Sequence, residues 1–133
     1  MLQIRGKGVA DGHGLTIDDV SLIKDGTDKN LVANSGFELP NQNGHWNIYD
    51  NVEGWTGKQF EIGRGKIYNK KWNSQVCELD ANFMNAVMWQ SFYLENKVEY
   101  VLSFDWAPRT NGNENLATSK GAVLIGNQKI ADL

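Results

Sequence analysis

The sequence predicts an all-β domain, a sandwich or jelly roll of short antiparallel strands. Two observations carry the class. Short windows of alternating apolar and polar residues recur at roughly ten-residue spacing, as half-buried strands require. No window longer than about ten residues keeps a clean 3.6-residue period, so helices are minor. With 133 residues, 41% of them apolar, and five Trp and five Phe, the chain has enough material for one compact core.

The elements follow in order. Leu2–Arg5, LQIR, is a short β-prone segment. In Leu15–Leu22, LTIDDVSL, the apolar residues fall on odd positions at Leu15 and Ile17 but on even positions at Val20 and Leu22. A regular strand cannot switch parity, so a bulge is expected at Asp18-Asp19, with two adjacent carboxylates near the sheet edge. Phe60–Ile67, FEIGRGKI, reads as a short strand interrupted by Gly63 and Gly65. Gln75–Asp80 (QVCELD) and Asn85–Leu94 (NAVMWQSFYL) are β-rich runs separated by residues 81–84. Val98–Trp106, VEYVLSFDW, is the clearest strand, and Pro108 ends it because proline cannot donate to a ladder. Residues 110–120 form a polar loop. Residues 121–133 then read as a hairpin whose Gly126-Asn127 pair suits a type II′ turn.

Several function classes find no support. A net charge of −3 makes no electrostatic footprint for nucleic acid or an acidic membrane surface. No apolar run approaches the ~18 residues of a bilayer-spanning segment. Met1 is followed by LQIRG, which lacks the charged head and apolar stretch of a secretion signal. The single cysteine, Cys77, forbids an internal disulfide and reads as a small apolar strand residue.

Sugar-binding chemistry has candidates. Carbohydrate sites pair an aromatic face with a few polar side chains that fix hydroxyls. Trp72, Trp89, Tyr68, Gln90, Glu78, Asp80 and Arg109 are the residues that suit this role. Glu78 and Asp80 share parity and emerge on one strand face, opposite Cys77 and Leu79, where Arg109 is placed to pair with them. A buried ion group that pins the sheet is the competing reading for those three. Trp46, Trp55 and Trp106 are expected in the core, whereas Trp72, in the hydrophilic stretch NKKWNSQ, is divided between core and surface. A glycosidase would need two carboxyl groups about 5 to 9 Å apart, which Glu78 and Asp80 offer in principle. Nothing else marks a catalytic cleft: His13 and His45 are isolated, and no nucleophile, phosphate-loop or zinc motif is present.

Asn30–Pro40 (NLVANSGFELP) followed by Gly54-Trp55-Thr56 resembles the opening of carbohydrate-binding modules with the galactose-binding-like jelly roll. Residues 77–82 (CELDAN), Trp89-Gln90, residues 100–109 (YVLSFDWAPR) and residues 10–22 (ADGHGLTIDDVSL) are together similar to domain-of-unknown-function family 642, found in bacterial adhesins and plant cell-wall proteins. In that family the segment like residues 10–22 comes last. The resemblance therefore implies that residues 1–24 are the closing strands of a preceding or permuted jelly roll. Residues 25–29 are then a linker, and residues 30–133 the opening and central part of a jelly roll without its usual last strands. It also implies a structural calcium ion where the opening loop meets the last strand, at Asp18, Asp19 and Glu38, in keeping with the several oxygens a hard cation needs.

The expected function is a non-catalytic extracellular or cell-surface module, glycan-binding or adhesive, in a tandem-repeat protein. Its partners would be a glycan or cell-wall or matrix polysaccharide, and neighbouring copies joined by strand addition. The alternative is a purely structural repeat in a filament, with no small ligand.

Overall fold

The structure is a computed structural model that describes residues 1–81, 84–109 and 119–133. Most of the loop expected over residues 110–120, and Asn82 and Phe83 before the strand at Met84, lie outside the described residues.

The protein is an all-β fold of the sandwich or jelly-roll class, built from one curled antiparallel sheet. Its strands are β1 (Leu2–Gly6), β2 (Leu15–Lys24), β3 (Trp46–Val52), β4 (Trp55–Arg64), β5 (Gln75–Glu78), β6 (Asp80–Ala81), β7 (Met84–Asn85), β8 (Val87–Gln90), β9 (Tyr100–Pro108), β10 (Gly121–Ile125) and β11 (Gln128–Asp132). A 3-10 turn, Gly65–Ile67, follows β4. The main sheet runs β11-β10-β1-β8-β4-β5-β2-β9, with β3 beside β4, while β6 and β7 form a small separate ribbon.

The curl has a local cause in β4. Thr56, Gly57 and Lys58 pair with β8, whereas Glu61 to Arg64 pair with β5. Between the two halves Gln59 takes a positive φ of 51°. The β3–β4 register slips between Tyr49 and Asn51, and the Gln59 amide donates to the side chain of Asp50. A bulge of this kind bends and twists a strand, so β4 turns the corner between two halves of the sheet.

The first 24 residues enter the same sheet. β1 lies between β8 and β10, and β2 between β5 and β9. The parity switch in β2 is a bulge: Asp18 faces Asp105 and Ser21 faces Ser103, so Asp19 and Val20 oppose the single residue between. Asp19 has a φ of 49°. The slip returns Val20 and Leu22 to the core beside Leu15 and Ile17, and leaves Thr16 and Asp18 on the opposite face. The two carboxylates separate instead of sharing an edge, with Asp18 buried and Asp19 exposed. The hairpin turn has a positive φ at Gly126 and not at Asn127, the type II′ pattern.

The core holds Leu2, Ile4, Phe60, Ile62, Cys77, Leu79 and Met88 from the strands, with Val32 and Phe37 from the opening segment. Phe37 stacks on Trp55 at 5.5 Å, and the Trp55 indole N–H donates to the Asn34 carbonyl. Trp55 is therefore a core residue as its sequence suggests, but Trp46 and Trp106 are not. They stand 53% and 48% exposed, because Trp46 lies on the outer face of β3 and Trp106 near the end of β9, which is the last strand of the sheet. The run 85–94 is a strand only from Val87 to Gln90 after the short β7, and the strand expected from Val98 begins at Tyr100.

Candidate functional site

The sheet carries a second, polar face opposite the core. Across it, Thr16 of β2 pairs with Glu78 of β5, Glu78 with Glu61 of β4, and Glu61 with Ile48 of β3. Because side chains alternate along each strand, these four project together, while Ile17, Cys77 and Ile62 project into the core. Two carboxylates thus sit side by side on one sheet face, beneath the segment that follows β4.

That segment supplies Tyr68, whose hydroxyl donates to Glu61 Oε1 at 2.6 Å. The approach depends on Gly63. A Cβ there would lie 2.3 Å from the Tyr68 hydroxyl and 2.7 Å from the Trp46 Cβ. Arg109, just past β9, donates from Nη1 to both oxygens of Glu78, at 3.1 and 3.2 Å, and to the Gly12 carbonyl. Its guanidinium lies over the Tyr68 ring, 5.3 Å from the centroid. Glu78 Oε1 also accepts from the Gly14 amide, and Asp80 Oδ2 from the Asp11 amide. Glu78, Asp80 and Arg109 therefore clamp the 11–14 turn, and Gly14 has no room for a Cβ above Asp80. Arg109 pairs with Glu78, while Asp80 is held by the turn.

Burial dominates the electrostatics. Glu78 is wholly enclosed, and burial pushes its carboxyl up to about 8 although Arg109 and the Gly14 amide pull it down. Glu61 is also raised by burial, against the pull of the Tyr68 hydroxyl and Arg109. Tyr68 is raised further from its ordinary value by burial and the neighbouring Glu61, so it serves Glu61 as a donor.

Between the turn and β3 this machinery opens into a hollow of about 290 Å³ lined by Asp11, Gly12, His13, Trp46, Ile48, Glu61 and Arg109. It has an exposed indole on one wall and a buried carboxylate beside a guanidinium. Such a hollow can receive a flat, ring-shaped polar molecule, with one face on Trp46 and its polar substituents on Glu61 and Arg109.

No protein-family model matches the chain, and neither does any curated protein or solved structure. The candidate site therefore rests on its own geometry.

Of the residues marked in the sequence, Glu78, Arg109 and Tyr68 meet here, with Asp80 one turn away. Trp72 lies on the same sheet face but is half-buried, its indole N–H donating to the Thr16 hydroxyl. Trp89 is on β8, between Gln3 and Thr56. The buried Gln90 side chain both accepts from and donates to the backbone of Ala33, tying down the opening segment. Trp46, Ile48, Glu61, Asp11 and His13 line the hollow without having been marked. The alternation in residues 45–50, HWNIYD, carries a signal for Trp46 and Ile48 on one strand face. Nothing local tells that this face is the outer one.

The carboxylates Asp18, Asp19 and Glu38 come from distant segments and gather around Gly36. A Cβ on Gly36 would be 3.5 Å from Asp19 Oδ1 and 3.8 Å from Asp18 Oδ1 and Glu38 Cγ. Asp18 Oδ2 accepts from the Ser74 hydroxyl, and Oδ1 is buried without a partner among the described residues. Burial raises Asp18 to about 7. Glu38 Oε1 accepts from the Gln75 amide. Among the described residues no three His, Cys, Asp or Glu side chains converge closely enough to hold an ion alone. A calcium ion here would need backbone or hydroxyl oxygens to complete its shell.

Proposed function

We propose that this protein is a non-catalytic, glycan-binding β-sandwich module of the galactose-binding-like, carbohydrate-binding kind, working at a cell surface or in an extracellular matrix. The observation that carries the reading is the Trp46 indole exposed beside Glu61 and Arg109 in one hollow. Aromatic stacking orients a pyranose ring, and a carboxylate with a guanidinium fixes its hydroxyls. The non-catalytic part rests on Glu78, which is enclosed and engaged by Arg109 and Gly14, so only one of the two paired carboxylates lines the hollow.

A glycan array with the wild-type protein tests the reading, followed by titration of each hit with Trp46→Ala. Binding that drops at least tenfold in the variant, with an unchanged melting temperature, is expected. Silence across a broad panel of neutral and charged polysaccharides would remove the glycan function.

The same reading includes a structural calcium ion at Asp18, Asp19 and Glu38, supported by the buried Asp18 Oδ1, which has no partner among the described residues. Calcium should raise the melting temperature relative to chelator, and Asp18→Asn should abolish the difference. Equal melts of the wild type in calcium and in chelator would discard the ion.

A second reading, assembly with neighbouring copies, is favoured by β9. It is the terminal strand of the sheet and exposes Val101 and Trp106, and an unpaired edge of that kind recruits another strand. Light scattering discriminates: a monodisperse monomer at high concentration would count against it.

A further inference from the structure

We infer that the hollow selects a cationic sugar, a hexosamine with a free amino group, over neutral and acidic saccharides; this rests on the glycan-binding reading above. Glu61 forms the buried part of the lining and is only 7% exposed. Its Oε1 accepts from Tyr68, and Oε2 accepts no hydrogen bond from any described residue. A carboxyl group buried in this way in the wall of the hollow is matched by an ammonium, which brings both a proton donor and a countercharge.

The other charged groups facing the hollow agree. Asp11 and Glu61 are acidic, and His13 sits beside Asp11, its ring nitrogen 4.0 Å from the Asp11 carboxylate. Arg109, the guanidinium among the described lining residues, gives its Nη1 to both oxygens of Glu78 and to the Gly12 carbonyl. A uronic acid would bring a third carboxylate to this group, whereas an ammonium meets two carboxylates.

The ring itself is placed by Trp46. Its backbone partner is Gly63, two residues from Glu61 on the same face of β4. A diagonal neighbour of this kind lies about 7–8 Å away across a sheet. One sugar ring spans that interval, its C–H face on the indole and its amino group over Glu61.

The test is titration calorimetry on the whole chain with three probes: a glucosamine trisaccharide, its N-acetylated counterpart and a uronic-acid trisaccharide. Butylammonium is the sugar-free control. The glucosamine trisaccharide should bind about tenfold or more tighter than the acetylated one, the yield of one charged hydrogen bond, and the uronic-acid trisaccharide weakest of the three. Glu61→Gln, which keeps the shape and the Tyr68 contact, should erase the preference between the first two. Trp46→Ala should weaken both. Equal or tighter binding of the acetylated or uronic probe, or a preference that survives Glu61→Gln, would overturn the amino-sugar inference while leaving glycan binding in place. Butylammonium binding as tightly as the amino sugar would also overturn it, by removing the saccharide from the recognition. Absence of binding by all three trisaccharides would overturn the inference and the glycan reading together.

Discussion

Tyr68 and Glu61 are joined by a 2.6 Å hydrogen bond that passes over Gly63, two residues beyond Glu61 on the same strand. The contact fixes one oxygen of Glu61 and holds the floor of the hollow against the sheet. A side chain on Gly63 would occupy the place of the tyrosine hydroxyl. Gly63→Ala is therefore expected to destabilise the fold by about 1–3 kcal/mol through overpacking. Tyr68→Phe, which removes only the hydroxyl, is expected to cost about 1–3 kcal/mol by stripping a buried carboxyl of its donor. Urea denaturation measures both, and a neutral Gly63→Ala would mean that Tyr68 does not sit over β4.

Stability should fall as pH rises through neutrality. Glu78 is raised to about 8 and Asp18 to about 7, each chiefly by burial. In the unfolded chain both titrate at about 4. Between that value and their native values the folded protein holds protons that the unfolded chain has released, so the free energy of unfolding declines with increasing pH. The contribution is complete below about pH 4 and is lost as pH passes through the native values. A melting temperature several degrees higher at about pH 5 than at about pH 8.5 is expected, with a shallower decline in Glu78→Gln. A melting temperature that climbs over this interval contradicts the burial of these carboxyls.

Arg109 is expected to be structural as well as part of the hollow. Removing it strands Glu78, which is enclosed and has the Gly14 amide as its other donor. Arg109→Ala should cost about 3 to 5 kcal/mol at high pH, where the abandoned carboxylate is charged. The loss should shrink at about pH 5, where Glu78 is protonated with or without Arg109 and no charge is stranded. The double variant with Glu78→Gln should recover most of it. A cost that is the same at both pH values would show that the pair contributes through packing alone.

The bulge in β2 makes a separate prediction. Asp19 stands at a φ of 49°, a conformation open to Asp, Asn and Gly but strained for a β-branched residue. Asp19→Gly should be close to neutral, whereas Asp19→Val should cost about 1–3 kcal/mol. Near-equal stability of the two variants would mean that the strand runs without the slip.

The sequence by itself determined the β class, the bulge at Asp18-Asp19, the end of β9 at Pro108, the Gly126-Asn127 turn and the burial of Trp55 and Cys77. Each follows from a local rule: side chains alternate with period two, proline lacks an N–H, and a parity change needs an extra residue. Tertiary structure decided which faces look outward. Trp46 and Trp55 are alike in composition and nine residues apart in number, yet one lines the hollow and the other stacks on Phe37. Only strand pairing separates them, since β4 divides its partners between β8 and β5 and so curls the sheet. The site is decided the same way. Glu61 meets Glu78 because β4 pairs with β5, and Arg109 reaches Glu78 because β9 and β5 flank β2. These contacts join residues 17 and 31 positions apart, beyond the reach of any periodicity along the chain.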